Sequence, residues 1–468
     1  MSKKRVLIVT DKFPPNISGG AEVSLHIVAQ QLLKQGFDIA VATLNDSLQK
    51  TNYLEYEGFR IYEIPFNSSW PPSARNRNRN SGRTSGFMTQ SLIATQYLLS
   101  PSDSSLRQRL SKLSLYKSLS DLSKLGMFPL VDRDLFSNNI AQPELLKIIE
   151  KESPDLLHCD NYRSILLSAS FDQLSIPVVA CVRDLRFFCA HKTQPMNVNG
   201  VVCRKCLYQC ADVAVPQETT RLQSLMQDSA TLRRAALSKA HHIVVTSRFL
   251  HDGVHEMLPG KDITIIANPS DSAEFVDDIQ KGIKRSQPPE ILIVGMVNEN
   301  KGQLDVVNWL DFLEKELKDF RIVIAGRGDR LLAKIRQRVN RKNALDRVTM
   351  TGFLTRDEVY RSYARATVVA SPVVWPEPFG RVPLEAALSR RPIVSYGLGG
   401  LNETIIDGVT GRLIAPGDRQ AFLQAIVDII RDPKLAAKMG ANARRRVIKS
   451  HTAKQAASAM ANVWDQFQ

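Results

Sequence analysis

Residues 5–35 read RVLIVTDKFPPNISGGAEVSLHIVAQQLLKQ, and the expectation for the fold starts from this stretch. The apolar run Arg5–Thr10 predicts a buried strand. Pro14-Pro15 and Gly19-Gly20 then predict a loop, and the apolar spacing from about Ala21 to Gln35 predicts a helix. A strand, a loop and a helix in this order are the usual opening of a parallel α/β sheet.

The same rhythm of short apolar runs and longer segments continues along the chain, as in a parallel sheet with crossover helices. Further runs in the first half are Ile39–Leu44, Leu156–His158, Val178–Val182 and Ile243–Thr246. A second series begins with Ile263–Ile266 and continues with Ile291–Gly295, Arg321–Ala325, Val348–Thr351, Thr367–Ala370 and Pro392–Ser395. The fold class is therefore α/β, with one domain in each half.

Turn and charge signals predict the boundary between the two domains near 265–285. Asn268-Pro269 follows the run at 263–266, and the basic, polar stretch Gln280–Pro289 precedes the next run. We predict a first domain over 1–267 and a second domain over 268–450. Residues 451–468 are predicted to form a C-terminal helix that can cross back to the first domain.

Composition narrows the class of protein. Of the 468 residues, 43% are hydrophobic and 23% are charged, which is near the soluble globular average and excludes wholesale disorder, collagen and coiled coil. No apolar run approaches the roughly 18 residues of a membrane span, and the early run Val6–Val9 is too short for a secretion signal. We therefore expect a cytoplasmic protein.

The net charge of +15 favours anionic partners, namely phosphates, membranes or nucleic acid. A basic insertion over about 67–130 carries part of this charge, with nine basic and two acidic residues between Pro71 and Leu130. Six leucines and Tyr116 recur at three- and four-residue steps from Leu106 to Leu125, which predicts an amphipathic cationic helix. This helix can pack on the domain, or it can bind the anionic inner face of the membrane. Nucleic acid is disfavoured, because interleaved aromatic residues that stack on bases are missing.

Residues 376–385, PEPFGRVPLE, place Glu377 and Glu385 eight positions apart where a loop enters a helix. The free amides at a helix start attract phosphate, and carboxylates at the same place suit sugar and ribose hydroxyls. Taken alone, two glutamates at this spacing are more simply explained as ordinary helix capping and charge. Other motifs of the chain decide between these explanations.

Together with this passage, four further motifs resemble the nucleotide-sugar signature of retaining glycosyltransferases of the GT-B fold, family 4, also called glycosyl transferases group 1. The four are Gly19–Glu22, Asn300–Gly302, Gly326–Asp329 and Gly399–Glu403. The resemblance extends over most of the chain. It implies two Rossmann-like parallel-sheet domains that face each other across a cleft, with the acceptor held mainly by the first domain and the nucleotide sugar by the second.

The resemblance also implies roles for single residues. Glu385 resembles the residue that chelates the ribose diol, and Glu377 resembles the residue that meets hydroxyls of the donor sugar. Lys301 matches the lysine that binds the diphosphate, where a point cation suits the charge that grows as the sugar–phosphate bond breaks. Glu377 and Lys301 are therefore candidate catalytic residues.

Backbone amides are the other candidate contacts to the donor. Gly19 and Gly20 precede a helix, so the backbone can approach an anion closely and the helix start can point at a phosphate. Without the resemblance, a plain turn explains this glycine pair equally well. Phe379 and Gly380 are expected to offer amides to the donor in the same manner.

Three positions depart from the family pattern. Met296 stands where an arginine usually assists the lysine on the diphosphate, so one cation is missing. Arg183 stands where many members carry a histidine close to the sugar, and Asp160, after His158, stands where a His-x-His pair is frequent. Arg183 is a third catalytic candidate, because its planar fork can bond phosphate; an ion pair with a neighbouring acid is the alternative.

Four cysteines form the pattern C-x13-C-x2-C-x3-C and are candidate metal ligands: Cys189, Cys203, Cys206 and Cys210. The close pair is typical of structural zinc, and four thiolates also suit an iron–sulfur cluster, which we favour less. Reduced cysteines packing the loop over 189–210 explain the pattern equally well. Asp132 and Asp134 form the Asp-x-Asp metal motif of the other glycosyltransferase fold, but the motifs of the second domain have no place in that fold. We expect no catalytic metal.

The resemblance implies a glycosyltransferase that moves a sugar from a nucleoside-diphosphate sugar, a UDP- or GDP-sugar, to an acceptor hydroxyl with retention. A sugar or lipid-linked acceptor is expected, in the synthesis of surface polysaccharide or glycolipid on the inner face of the membrane. The alternative is a non-catalytic protein of the same fold that binds sugar nucleotides or a membrane surface, which Met296 and the basic insertion motivate. An NAD enzyme is disfavoured, because Leu331 stands where the third glycine after Gly326 and Gly328 belongs.

Overall fold

The computed structural model describes residues 4–17, 19–66, 141–171, 174–188, 231 and 233–467. These residues form two compact units. The first contains the described residues of Met1–Thr246, Leu250–Ile266 and Ala457–Gln468, and the second contains Ser247–Phe249 and Ala267–Ala456. Each unit is built around one β-sheet.

The first unit holds a sheet whose described strands lie in the order β3-β4-β2-β1-β5-β6-β7-β8. The strands are β1 Arg5–Thr10, β2 Asp38–Asn45, β3 Asn52–Tyr56, β4 Phe59–Pro65, β5 Leu156–Asp160, β6 Val178–Val182, β7 His242–Val245 and β8 Ile263–Ile265. Neighbouring strands run parallel, except that β3 and β4 form an antiparallel hairpin. Strands β5 and β6 are buried along their whole length, as is typical of a parallel sheet covered on both faces.

The helices of the first unit alternate with its strands along the chain. Among the described residues these helices are α1 Gly20–Lys34, α2 Ala141–Glu152, α3 Tyr162–Ala169 and α4 Arg248–Met257, and residues 233–238 are also helical. Helix α1 buries Leu25, Val28, Ala29 and Leu32, a spacing that turns one apolar face inward. It begins one residue before the predicted start.

The second unit holds a sheet whose described strands all run parallel, in the order β11-β10-β9-β12-β13-β14. The strands are β9 Glu290–Val294, β10 Arg321–Ala325, β11 Val348–Gly352, β12 Val368–Ser371, β13 Ile393–Tyr396 and β14 Gly411–Ile414. The helices are α5 Ala273–Gln280, α6 Val306–Glu316, α7 Asp329–Arg341, α8 Arg356–Arg365, α9 Val382–Leu388, α10 Leu401–Thr404, α11 Arg419–Arg431 and α12 Pro433–Ser450. The expected α/β fold class with two parallel sheets is thereby confirmed.

One predicted strand belongs to the other sheet. The run Ile263–Ile266 was expected to open the second series, but β8 pairs with β7 at the edge of the first sheet, with Ile243 opposite Ile263. Helix α4 lies between these strands in the chain and provides the crossover that two parallel neighbours need. A three-residue apolar run carries no information about which of two similar sheets it joins.

Two strand regions escaped prediction. The hairpin β3–β4 turns at Glu57 and Gly58, which both have positive φ, 48° and 84°. Such a turn is signalled most strongly by Asn-Gly or Asp-Gly, and Glu-Gly is a weaker signal. The edge strand β14 has only four residues and begins with a glycine, so its apolar run is too short to stand out.

The last helix, α13 Ala453–Trp464, begins in the second unit and ends in the first. Trp464 is 1% exposed, and its ring lies 5.4 Å from that of Phe37 between centroids. The Lys4 ammonium donates to the carbonyl oxygens of Trp464 and Phe467. The end of α13 is therefore a packed part of the first unit.

Several predictions made from the sequence concern residues that the structure does not describe. They concern the basic insertion over about 67–130 with its helix from Leu106 to Leu125, the pair Asp132 and Asp134, and the four cysteines Cys189, Cys203, Cys206 and Cys210. Among the helices that are described, none has the length and apolarity needed to cross a membrane.

Candidate functional site

The carboxyl ends of the strands in the second sheet bring several loops together. In open parallel sheets ligands bind at this edge. A side chain at Gly326, after β10, would place its Cβ 1.8 Å from the carbonyl oxygen of Gly295, which follows β9. Gly399, after β13, has φ of 63°, and a Cβ there would lie 2.4 Å from the carbonyl oxygen of Glu377. Glycine at these positions thus lets neighbouring loops touch.

Lys301 and Glu377 form an ion pair at this edge. The turn that carries Lys301 is fixed by the Asn298 side chain, which accepts hydrogen bonds from the amides of Asn300 and Lys301 at 3.1 and 3.2 Å. The Trp375 indole Nε1 donates to Glu377 Oε1 at 3.1 Å, and Lys301 Nζ lies 5.4 Å from the centroid of the Trp375 ring. One aromatic side chain therefore supports both the carboxylate and the cation.

The loop that carries Glu377 is joined to the loop after β13 by its backbone. Gly400 donates its amide to the carbonyl oxygen of Glu377 at 2.7 Å, and Glu377 forms an isolated β-bridge with Gly399. Gly400 also lies so close that a Cβ would come within 2.6 Å of the Pro378 carbonyl oxygen. Glu377 is thus held at both its backbone and its side chain.

Phe379 and Gly380, predicted as amide donors, follow in the same loop. The Phe379 ring is 4% exposed and belongs to the hydrophobic core of the unit, with its centroid 5.9 Å from the His451 ring. Gly380 packs against Leu401, since a Cβ there would lie 2.8 Å from Leu401 Cδ2. The phenylalanine side chain anchors the loop in the core, while the role of the two amides stays a prediction.

Glu385 lies in the first turn of α9 and accepts from two side chains. Arg381 Nε donates to its Oε1 at 3.4 Å, and the Tyr363 hydroxyl donates to its Oε2 at 3.1 Å. Arg381 in turn contacts Asp271, with Nη2 and Oδ2 3.4 Å apart. Sequence reasoning missed Arg381, Tyr363 and Asp271. The only signal was the four-residue step from Arg381 to Glu385, which puts both on one helix face.

The network around Glu385 is buried and charged. Burial opposes the charge of Arg381, but the attraction of Asp271 and Glu385 outweighs it and raises the Arg381 pKa. Burial, and then the charge of Glu385, raise the pKa of Tyr363 well above its usual value. Tyr363 therefore stays a neutral donor at any ordinary pH, and Arg381 stays a cation.

Arg183, the third catalytic candidate, lies after β6 in the first unit and is bonded to Asp160 at the end of β5. Its Nε donates to both carboxylate oxygens, at 2.7 and 2.8 Å. Burial favours the neutral form of Asp160, but Arg183 and His158 outweigh it and hold the Asp160 pKa below its usual value. The ion pair considered as the alternative for Arg183 is thus present; its contact with phosphate remains a prediction.

His158, Asp160 and Cys181 bring potential metal-ligand atoms within 4.8 Å of one another. The Asp160 carboxylate is already bonded to a guanidinium, and His158 Nδ1 lies 3.4 Å from Trp464 Nε1 as an acceptor. Burial raises the pKa of the Cys181 thiol, which disfavours the thiolate that metals bind. The arrangement favours a closed polar cluster over a cation site.

Gly19 and Gly20 lie where the sequence predicts them, at the start of α1. Gly19 is extended and serves as the N-cap residue, and Glu22 lies in the first turn. A Cβ at Gly19 would lie 3.1 Å from Glu22 Oε2, so the glycine makes room for this carboxylate. The start of α1 therefore offers backbone amides to an anion, but the Glu22 carboxylate lies in the same turn.

An exposed aromatic surface lies at the ends of β10 and β11. Phe353 is 60% exposed, and the Arg327 guanidinium lies 3.9 Å from the centroid of its ring. Met296, after the adjacent strand β9, is 57% exposed. Sequence reasoning did not select Phe353; an aromatic residue directly after the glycine that ends a strand was the available signal.

The sequence of this chain is similar to those of several known proteins. Residues 275–446 match the family of glycosyl transferases group 1. The glycogen synthase of Mycobacterium tuberculosis is 32% identical over 225 residues, which is 47% of this chain and 53% of that protein. The lipopolysaccharide core biosynthesis mannosyltransferase LpcC of Rhizobium leguminosarum is 35% identical over 120 residues, 26% of this chain and 33% of that protein. The chain thus spans about half the length of the glycogen synthase, and less of LpcC.

Solved structures are similar over nearly the whole chain. Sucrose-phosphate synthase of Thermosynechococcus elongatus has a TM-score of 0.68 at 18% identity and covers 99% of both chains. Anabaena HepE in complex with UDP-glucose has a TM-score of 0.60 at 15% identity and also covers 99% of both. These likenesses show the fold. The chain therefore has the GT-B fold, and its residues 275–446 match the glycosyl transferases group 1.

Proposed function

We propose that this chain is a retaining glycosyltransferase that moves a sugar from a UDP- or GDP-sugar to a hydroxyl of a sugar or lipid-linked acceptor. The observation that carries the proposal is the ion pair of Lys301 with Glu377 at the ligand-binding edge of the second sheet, followed by Glu385 at the start of α9. A mannosyltransferase of lipopolysaccharide synthesis among the relatives, and a similar structure solved with UDP-glucose, support a nucleotide-sugar donor and a surface-glycan or glycolipid product.

In this proposal each part of the donor meets a different group. Glu385 accepts the ribose hydroxyls, and Phe353 with Arg327 offers a flat surface on which the base can stack. Lys301 turns from Glu377 to the diphosphate, and Glu377 turns to the sugar hydroxyls. In this exchange both groups keep polar partners, because the cation gains an anion and the carboxylate gains neutral hydrogen-bond donors while it keeps the bond from Trp375.

The reaction breaks the bond between the anomeric carbon and the donor phosphate and forms a bond from that carbon to the acceptor oxygen. The departing diphosphate, on the same face, accepts the proton of the acceptor hydroxyl. Lys301 stabilises the negative charge that grows on the diphosphate, and Arg183 is proposed as a second cation for it. No side chain serves as a nucleophile, and no metal is part of the proposed step.

The test is incubation of the full chain with a panel of UDP- and GDP-sugars, followed by mass spectrometry of acceptors and of released nucleoside diphosphate. Calorimetry with UDP and GDP then compares Glu385→Ala with Glu314→Ala, an exposed glutamate of α6. Glu385→Ala is expected to weaken binding by about 1.5–3 kcal/mol, the range for hydrogen bonds to a charged group, and Glu314→Ala to leave it unchanged. Equal affinity of both variants would refute the assignment of Glu385.

A second candidate function is binding of sugar nucleotides without turnover. It is motivated by Met296, an exposed thioether at a position where a cation would assist Lys301. The two functions differ in release of nucleoside diphosphate. Tight binding of a nucleotide sugar with neither transfer nor donor hydrolysis would favour the second.

A further inference from the structure

The carboxylate of Glu385 is held at both of its oxygens by different donors. Arg381 Nε lies 3.4 Å from Oε1, and the Tyr363 hydroxyl lies 3.1 Å from Oε2. The Glu385 side chain is 18% exposed, so it is part buried and still reaches the surface. Its position is therefore set by the protein before any ligand arrives.

The two donors are themselves held in place. Arg381 donates from Nη1 to the Pro269 carbonyl oxygen at 3.1 Å and pairs with Asp271, which is 2% exposed in its side chain. Tyr363 is fully buried on α8, with its ring 6.1 Å from that of Tyr360 between centroids. Neither donor can follow Glu385 to a new position without disturbing the core.

A carboxylate offers about four acceptor positions on its two oxygens. Arg381 and Tyr363 each donate to one of the two oxygens, so two donors do not fill these positions. In the proposed function the two oxygens also accept the neighbouring hydroxyl groups of the ribose cis-diol. A freely turning glutamate would have to be ordered at the moment of binding, which costs affinity.

We propose that Tyr363 is a positioning residue, which fixes the Glu385 carboxylate and thereby sets the preference of this site for ribonucleotides over deoxyribonucleotides. The inference rests on the proposed function, in that it takes the ribose of the donor as the ligand of Glu385. Tyr363 itself touches no ligand; it acts only through Glu385.

The chain provides a matched control on the same helix. Tyr360 is also buried, and its hydroxyl donates to Asp271 and not to Glu385. Tyr360→Phe and Tyr363→Phe therefore remove the same hydroxyl from the same kind of surroundings, and each leaves a carboxylate with one donor fewer. Only Tyr363→Phe removes a donor from Glu385 itself.

The experiment measures Kd by calorimetry for UDP and 2′-deoxy-UDP, and for GDP and 2′-deoxy-GDP, on the full chain and both variants. The readout is the ratio of the deoxyribonucleotide Kd to the ribonucleotide Kd. Tyr363→Phe is expected to lower this ratio about five-fold, the equivalent of one ordinary hydrogen bond, and Tyr360→Phe to leave it unchanged. Thermal unfolding of both variants verifies that they are folded.

Three outcomes would overturn the inference. In the first, Tyr363→Phe weakens both nucleotides by the same factor, which would make Tyr363 merely structural. In the second, Glu385→Ala abolishes the ribose preference while Tyr363→Phe keeps it; then the proposed function stands and the inference alone falls. In the third, the native chain binds ribo- and deoxyribonucleotides equally, and the ribose assignment of Glu385 falls as well.

Discussion

The single Nε–H of Arg183 is shared between the two carboxylate oxygens of Asp160, at 2.7 and 2.8 Å from Nε, and both side chains are buried. These are two of the three positions at which the sequence departs from the pattern of the glycosyltransferase family that it resembles. Since one side chain is an acid and the other a base, the two departures cancel in charge and satisfy each other's hydrogen bonds. Arg183 and Asp160 are therefore best understood as a coupled pair of departures, in which each residue compensates for the other.

The first prediction concerns Asp160→Asn. The variant removes the negative charge of Asp160 from the buried Arg183 guanidinium, so it is expected to lose about 3–5 kcal/mol of unfolding free energy at pH 7, the range for removing one partner of a buried ion pair. Urea unfolding measures this loss. Asp155→Asn, at an exposed pair with Arg5, is the control and is expected to lose no more than about 1 kcal/mol.

The same variant has a pH signature. The folded-state pKa of Asp160 lies below the unfolded value of about 3.9, so the pair contributes its full stabilisation above about pH 5. That contribution is lost as the pH falls below about 4 and through the folded pKa. The gap in urea midpoint between native chain and Asp160→Asn should thus narrow from pH 7 to pH 3. A constant gap would contradict the assignment.

Lys301→Met is expected to lower the sugar-transfer rate about 10²-fold or more, because in the proposed reaction it removes the cation that stabilises the departing diphosphate. The loss should be in kcat at saturating donor. Lys342→Met removes an exposed lysine paired with Asp311 on the surface and should leave the rate unchanged. A Lys301→Met enzyme with native kcat would remove Lys301 from the reaction.

Trp375→Phe keeps an aromatic ring beside Lys301 but removes the N–H that holds Glu377. The loss of one hydrogen bond predicts a decrease in turnover of about five-fold, smaller than that of Glu377→Ala. Trp309→Phe is the matched control. The Trp309 indole, in α6, also donates to a carboxylate, that of Asp305 directly before the helix, at 3.2 Å. If both tryptophan variants slow transfer equally, the effect is one of stability.

Phe353→Ala is expected to weaken UDP or GDP binding by about 1–3 kcal/mol if the base stacks on this ring. The side chain is largely exposed, so the fold should tolerate its removal. Calorimetry measures the change, and Leu345→Ala, another exposed apolar residue of the same unit, is the comparison. If Phe353→Ala binds UDP and GDP as tightly as the native chain does, the base does not stack on Phe353.

The cysteine pattern predicts about one zinc per chain, measurable by elemental analysis of the purified protein. An iron–sulfur cluster would instead give visible absorption. Cys203→Ser with Cys206→Ser should abolish the metal. Metal-free protein with four titratable thiols and full activity would favour the loop-packing alternative.

Much of the fold could be predicted from sequence, because strands such as β6 Val178–Val182 are buried on both faces and read as continuous apolar runs. In the hairpin β3–β4, Arg60 and Glu63 interrupt the apolar run of the buried strand β4, and β3 is an exposed edge strand with polar residues such as Glu55. An exposed edge strand needs no apolar run, so its sequence resembles a loop.

The candidate site was predictable only in part. The motifs supply Lys301, Glu377 and Glu385, but the ion pair between Lys301 and Glu377 joins loops 76 positions apart. Tyr363 and Glu385 are likewise 22 positions apart and on different helices. Such pairs depend on how the strands are ordered in the sheet, which a single sequence does not reveal.

Because the end of α13 is part of the first unit, the first unit cannot be produced simply by ending the chain at the close of its last strand. A fragment that ends at Ile266 lacks Trp464, and so uncovers the ring of Phe37 and the ring nitrogen of His158 that Trp464 contacts. Apart from Ser247–Phe249, the second unit is one continuous segment, Ala267–Ala456, which two cuts would release and which would leave the first unit in two pieces. A recombinant first unit is therefore best assembled with a separate peptide of residues 453–467, or with the two pieces joined by a short linker in place of the second unit.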